Sequence, residues 1–252
     1  MSKKGQPQPV RVIALDGDDT LWHNETIFSM TQTAFRALVE AWLEPTAGDV
    51  AEHLNQTEIR NLRLFGYGVK GFTLSMIETA IELTGGNIPA TEIQHIVDYG
   101  KAMLSHPVEL LDTVNETVRT LATSYKLMVI TKGDLFDQES KVAGTGLGEL
   151  FWKVEVVSEK DPATYQRILE RNGVAIEEFL MVGNSVRSDI LPVVELGGRA
   201  VHVPYEITWS HERVDAPVES IPNAWSIKHL DELVELVPQL HERDIPDRSA
   251  SA

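Results

Sequence analysis

The stretch Val10-Arg11-Val12-Ile13-Ala14-Leu15-Asp16-Gly17-Asp18-Asp19-Thr20-Leu21 decides how the rest of the chain is read. Six residues rich in β-branched side chains stop abruptly at a run of acids, the pattern of a buried strand feeding a polar loop. Asp16 and Asp18 are two residues apart, so in extended chain both carboxylates face one side. Two such carboxylates repel and raise each other's pKa unless a cation lies between them. A hard dication with oxygen ligands, such as Mg²⁺, meets that need and would also let an anionic carboxylate approach an anionic phosphorus. A plainer reading of the same residues is a turn with a helix cap, because Asp and Thr serve both.

Working outward, strand signals vanish from Thr26 to Ser105, and helical periodicity predicts helices over Phe28–Leu43, Thr57–Phe65, Phe72–Leu83 and Thr91–Leu104. After His106-Pro107 the pattern alternates. Helices are predicted over 114–122, 138–143, 163–172 and 189–196, and strands over 126–130, 154–157, 179–182 and 200–203. Alternation of this kind predicts an α/β fold, a parallel Rossmann-like sheet covered by helices. Asp16, Thr131 and Gly183-Asn184 each follow or end an apolar strand, so a parallel sheet gathers them at its carboxyl edge, where open α/β folds bind ligands.

Composition removes several function classes. With 38 acidic and 22 basic residues the formal net charge is −16, and no basic cluster offsets it, which disfavours nucleic acid as a partner. The absence of cysteine excludes disulfides, thiolate chemistry and Cys-ligated zinc, and the eight histidines form no i, i+4 pair. No apolar run approaches the roughly 20 residues that span a bilayer, and Met1–Pro9 lacks a signal-peptide pattern, so a cytoplasmic protein without a membrane partner is expected. The polar stretch from His241 is expected to fray, with 246–252 as a tail.

The ordered motifs resemble the haloacid dehalogenase superfamily. Its first motif, Asp-x-Asp-x-Thr after the first strand, is matched by Asp16-Gly17-Asp18-Asp19-Thr20, its second by Thr131-Lys132-Gly133, its third by Lys160-Asp161-Pro162, and its fourth by Gly183-Asn184 with Asp189 five residues after Asn184. The resemblance implies a core domain of residues 1–22 and 106–245 with a helical cap, 23–105, inserted after the first strand. It further implies that Asp16 is a nucleophile, Asp18 an acid and base, and Lys160 a neutralising cation. Thr131, with Lys132 and Gly133, would hold the phosphoryl group, and Asp16, Asp18, Asp189 and Asn184 would hold Mg²⁺.

The activity so implied is a magnesium-dependent phosphatase acting on a small phosphorylated metabolite, and Asp18 favours it over a haloacid dehalogenase, whose halide leaving group needs no proton. A phosphomutase, a receiver-like regulatory module and a catalytically silent fold are the other readings. The oligomeric state is left open. Two departures stand out. Asn184 replaces a common Asp and so removes one charge from the metal site, and Gly17 replaces an apolar residue, a change expected to act through backbone freedom. Within the cap, Gly66-Tyr67-Gly68-Val69-Lys70-Gly71 offers Lys70 as a contact to the non-phosphate end of the substrate, or else is a plain interhelical turn.

Overall fold

The computed structural model describes residues 9–44, 48–207, 209–212 and 217–240; the expected tail and most of the N-terminal segment lie outside them. A six-stranded, all-parallel sheet runs in the order β3-β2-β1-β4-β5-β6, with β1 Val12–Leu15, β2 Lys126–Lys132, β3 Phe151–Val157, β4 Phe179–Gly183, β5 Arg199–His202 and β6 Ala224–Ser226. β1 is central. Leu15 stands opposite Val129 on β2 and Val182 on β4.

Alternate residues of these strands go to opposite faces. Ile13, Leu15, Val129 and Val182 pack with Val118, Leu233 and Val237 on one side, while Ala14, Met128, Met181 and Ile130 pack with Tyr165, Ile168 and Val193 on the other. Both faces are therefore covered, which is why the strands read as unbroken apolar runs. The covering helices are α5 Val114–Ala122, α6 Leu135–Gly144, α7 Pro162–Asn172, α8 Leu191–Glu195 and α9 Leu233–Gln239.

Between β1 and α5 lie four helices, α1 Glu25–Glu40, α2 Val50–Phe65, α3 Val69–Leu83 and α4 Ala90–Leu104. They close around an apolar cluster of their own, in which Phe35, Leu54, Phe72, Met76 and Ile96 are buried. The two chain passages into this helical unit run side by side, tied by the Leu111 N–H to the Leu21 carbonyl at 3.0 Å and the His23 N–H to the Glu109 carbonyl at 3.0 Å.

The helix predicted from Asp189 begins earlier, as a π-helical turn over Val186–Ile190 capped by the Ser185 side chain, which accepts the Ser188 N–H at 3.0 Å. β6 and α9 had no counterpart in the sequence reading. β6 is three residues long, and α9 carries Pro238 inside it, a residue that ordinarily argues against a helix.

Candidate active site

The carboxyl edge of the sheet delivers the acids. The Asp16 N–H still donates to the Val182 carbonyl at 2.9 Å, so the side chain leaves the sheet between β2 and β4, where strand order reverses. Lys160, three residues past β3, reaches back and is 4% exposed. Its Nζ donates to Asp16 Oδ1 at 2.5 Å and to Asp189 Oδ1 at 2.7 Å. Asp189 also accepts the Ser185 N–H on Oδ2 at 3.0 Å. Gly183 makes room for this, since a Cβ there would stand 2.2 Å from Asp189 Oδ2.

Burial opposes the charge on Lys160, but Asp16 and Asp189 outweigh it and hold the ammonium above the ordinary lysine range. Asp16 is pushed up to about 7, by burial first and then by Asp189 and Asp18, against the pull of Lys160. Thr20 links the remaining oxygens: its hydroxyl lies 3.4 Å from Asp16 Oδ2 and 3.5 Å from Asn184 Oδ1, and it accepts the Asn184 N–H at 3.1 Å.

Asp18 is placed differently from its neighbours. Its Oδ1 accepts Trp22 Nε1 at 2.7 Å and Lys141 Nζ at 2.9 Å, and its Oδ2 accepts Gln138 Nε2 at 2.8 Å. Its carboxylate is therefore taken up by these three donors and not by Asp16, Asn184 or Asp189; the backbone carbonyl of Asp18, which the family resemblance also implies as a metal ligand, is a separate group that these bonds leave untouched. Asp19, next in sequence, is buried and caps α1, accepting the N–H groups of Asn24 at 2.9 Å and Glu25 at 3.0 Å.

Gly17 is required for space and not for backbone freedom, correcting the sequence reading. A Cβ on it would lie 2.6 Å from Trp22 Cζ2 and 3.2 Å from Thr131 Oγ1. Gly17→Ala is expected to displace the Trp22 ring from Asp18 and to cost about 1–3 kcal/mol of stability, read as a lowered denaturation midpoint.

Thr131 and Lys132 both line the cavity above Asp16. Thr131 is buried, and its hydroxyl makes only a long bond, 3.3 Å, to the Lys132 carbonyl. The Lys132 side chain turns sideways, to Glu212 Oε1 at 2.5 Å, to Ser188 Oγ at 3.0 Å and over the Tyr67 ring at 4.2 Å. Gly133 does not line the cavity; it adopts φ +139° and lets the Gln138 side chain pass close by. Lys70 does not line it either. Its Nζ pairs with Asp134, the N-cap of α6, at 2.9 Å on the exposed rim.

Several residues here carried no sequence signal. Glu212, from a short 3₁₀ turn Ser210–Glu212, accepts the Ser185 and Ser188 hydroxyls at 2.5 and 2.7 Å besides Lys132. Burial works to raise its pKa, yet Lys132 and the two hydroxyls hold it down at about 2, against an ordinary 4.5. A group depressed in the folded state contributes stability that is complete above the unfolded value and is lost as pH falls from about 4.5 towards 2. Glu212→Gln should therefore be less stable than wild type at pH 7, by on the order of 3 kcal/mol, with the gap closing below pH about 4.5 in urea titrations. A spacing rule could not have found Glu212, because it lies 28 positions beyond Asn184 in a loop without a motif.

The cavity has a volume of about 170 Å³ and lies between the sheet edge and the four-helix unit, with Glu25, Glu58, Asn61 and Phe72 on the helical side and Asp16, Asp18 and Lys160 on the sheet side. Among the described residues no three Asp, Glu or His side chains form a ready metal cage, and no helix is long and apolar enough to cross a membrane.

Comparison with known proteins agrees with this fold. The chain is 41% identical to a haloacid dehalogenase-like family hydrolase from Xanthomonas campestris, over 96% of this chain and 95% of that one, with a TM-score of 0.82. The fold is shared with HAD-hydrolase YfnB from Bacillus subtilis, whose structure is bound to magnesium (19% identity, 91% and 99% covered, TM-score 0.62). It is shared as well with a 2-haloacid dehalogenase from Pseudomonas syringae (21% identity, 92% and 99% covered, TM-score 0.61). Among curated proteins no match is found. The family profile of the haloacid dehalogenase-like hydrolases matches residues 10–197, and the chain belongs to that family of hydrolases.

Proposed function

We propose that the protein is a magnesium-dependent phosphatase that hydrolyses a small phosphate monoester through a phosphorylated Asp16. The observation that carries this reading is the buried Asp16–Lys160–Asp189 group with a further carboxylate, Asp18, on the wall of the same cavity. In the first half-reaction an Asp16 oxygen attacks phosphorus, the ester P–O bond breaks, and Asp18 gives its proton to the departing alkoxide. In the second, Asp18 takes a proton from water, the water oxygen attacks phosphorus, the bond to Asp16 breaks, and inorganic phosphate leaves. Lys160 holds Asp16 in place and offsets charge that accumulates on the transferring group. The Thr131 hydroxyl and the backbone N–H of Lys132 would hold phosphoryl oxygens.

The residues present suit a hard cation. Asp16 and Asp189 against Lys160 leave one net negative charge in a buried place, and a phosphate dianion would be repelled by it. The oxygens with the weakest engagement, Asp16 Oδ2 and Asn184 Oδ1, both lie near Thr20 Oγ1. Asp16 and Asn184, with Asp189 behind them, would hold Mg²⁺, and the ion when bound would supply charge neutralisation for the phosphoryl oxygens.

One observation favours a second reading. All of Asp18's close partners are donors, and halide displacement from a 2-haloacid would ask nothing of Asp18. The deciding assay is release of p-nitrophenol from its phosphate ester with and without Mg²⁺, beside halide release from 2-chloropropionate. Magnesium-dependent release supports the phosphatase; halide release alone replaces it with the dehalogenase.

A further inference from the structure

The helical wall of the cavity differs in chemistry from its floor. Every lysine on the cavity is paired with a carboxylate of the sheet domain: Lys160 with Asp16 and Asp189, Lys141 with Asp18 and Asp137, Lys132 with Glu212. The lining contributed by the four helices contains two carboxylates, Glu25 and Glu58, and no basic residue.

Three buried side-chain atoms lack any hydrogen-bond partner among the described residues, Glu58 Oε2, Gln138 Oε1 and Thr79 Oγ1, and the first two belong to residues that line this cavity. Gln138 is 1% exposed, and its amide is oriented by the bond from Nε2 to Asp18, so its free atom is an acceptor. A buried acceptor left unmade costs about 1–3 kcal/mol, so both orphans call for a donor from a ligand. Phe28 and Phe72, with ring centroids 5.0 Å apart, line the same wall and add apolar surface and ring faces suited to a short alkyl chain ending in a cation.

We infer that the helical end of the cavity is an ammonium subsite, that Glu58 and Glu25 recognise a protonated amine, and that the substrate is a small phosphate ester carrying that amine. This deepens the phosphatase reading and rests on it. Burial, and after it Glu25, pushes Glu58 up to about 8; burial, and after it Asp18, pushes Glu25 up to about 7; a cation beside either carboxylate would favour its charged form. The cavity volume, about 170 Å³, is at the small end for ligand pockets and suits a small substrate.

The test is calorimetric and needs no turnover: titration of the full chain, with MgCl₂ present, with 2-aminoethylphosphonate, its isostere propylphosphonate, and 2-hydroxyethylphosphonate. The amine is expected to bind about tenfold or more tightly than either phosphonate with an uncharged tail. Glu58→Gln and, separately, Glu25→Gln are expected to remove most of that preference while the weak binding of propylphosphonate persists. Equal binding of all three, or a preference that survives in both variants, overturns the ammonium subsite and leaves the phosphoryl site standing. Binding of none overturns the phosphatase reading and the subsite with it.

Discussion

Asp16→Asn is expected to lose at least about three orders of magnitude in turnover while the fold persists, since the amide cannot attack phosphorus or carbon and general binding alone sustains little rate. The stability readout makes the prediction sharper. In the folded protein the Asp16 carboxyl is pushed up to about 7 from 3.8, so its ionisation opposes folding: the penalty is absent below 3.8 and grows until pH passes 7. Removing the charge removes the penalty, and Lys160 keeps Asp189 as a partner at 2.7 Å. Melting temperature at pH 8 should therefore not fall, and a rise is the expected sign. More than a few per cent of residual activity in a protein verified by mass would sink Asp16 as the nucleophile.

Lys160→Met should be costly on both counts. The side chain is enclosed, and its removal leaves Asp16 and Asp189 facing each other in a buried place without a counter-charge. Breaking such a group by deleting one partner typically costs about 3–5 kcal/mol. For a chain of this length that corresponds to a fall of roughly 10 °C in melting temperature. Activity should fall by about 10²–10³, the usual size of a lost preorganised charge contact. Lys160→Arg tests whether charge alone suffices: a planar fork does not fit between two oxygens held 2.5 and 2.7 Å from one nitrogen, and recovery of activity there would argue against that geometry.

What the sequence made legible has a physical pattern. β1, β2 and β4 are buried on both faces, so their apolar runs and the polar residues ending them stood out, and the helix over Val114–Ala122 was found with its observed limits. Asp16, Thr131, Lys160, Asn184 and Asp189 share one edge because parallel strands end together, an inference needing only strand order and direction. Residues defined by tertiary approach were not legible. Gln138 and Lys141 meet Asp18 across more than a hundred positions, and Glu25 and Glu58 acquire meaning only when the helices close over the sheet. Lys70 shows the opposite case: a basic residue in a glycine-rich turn offered either a ligand contact or a plain turn, and in the fold it pairs with Asp134 at the rim.

The central place of β1 also shapes how the molecule is made. Val12–Leu15 finds its partners at Lys126–Val129 and Phe179–Val182, so more than a hundred residues emerge from the ribosome before this strand has anything to pair with. The four helices between them have their own apolar cluster and mostly local contacts, which form quickly. A growing chain therefore carries an unpaired, wholly apolar strand while the helices that follow it emerge, and that interval is when aggregation is most threatening. Arg11 on one side of the strand and the acids from Asp16 on the other put charge at both of its ends, the position from which flanking charges oppose aggregation of an apolar segment.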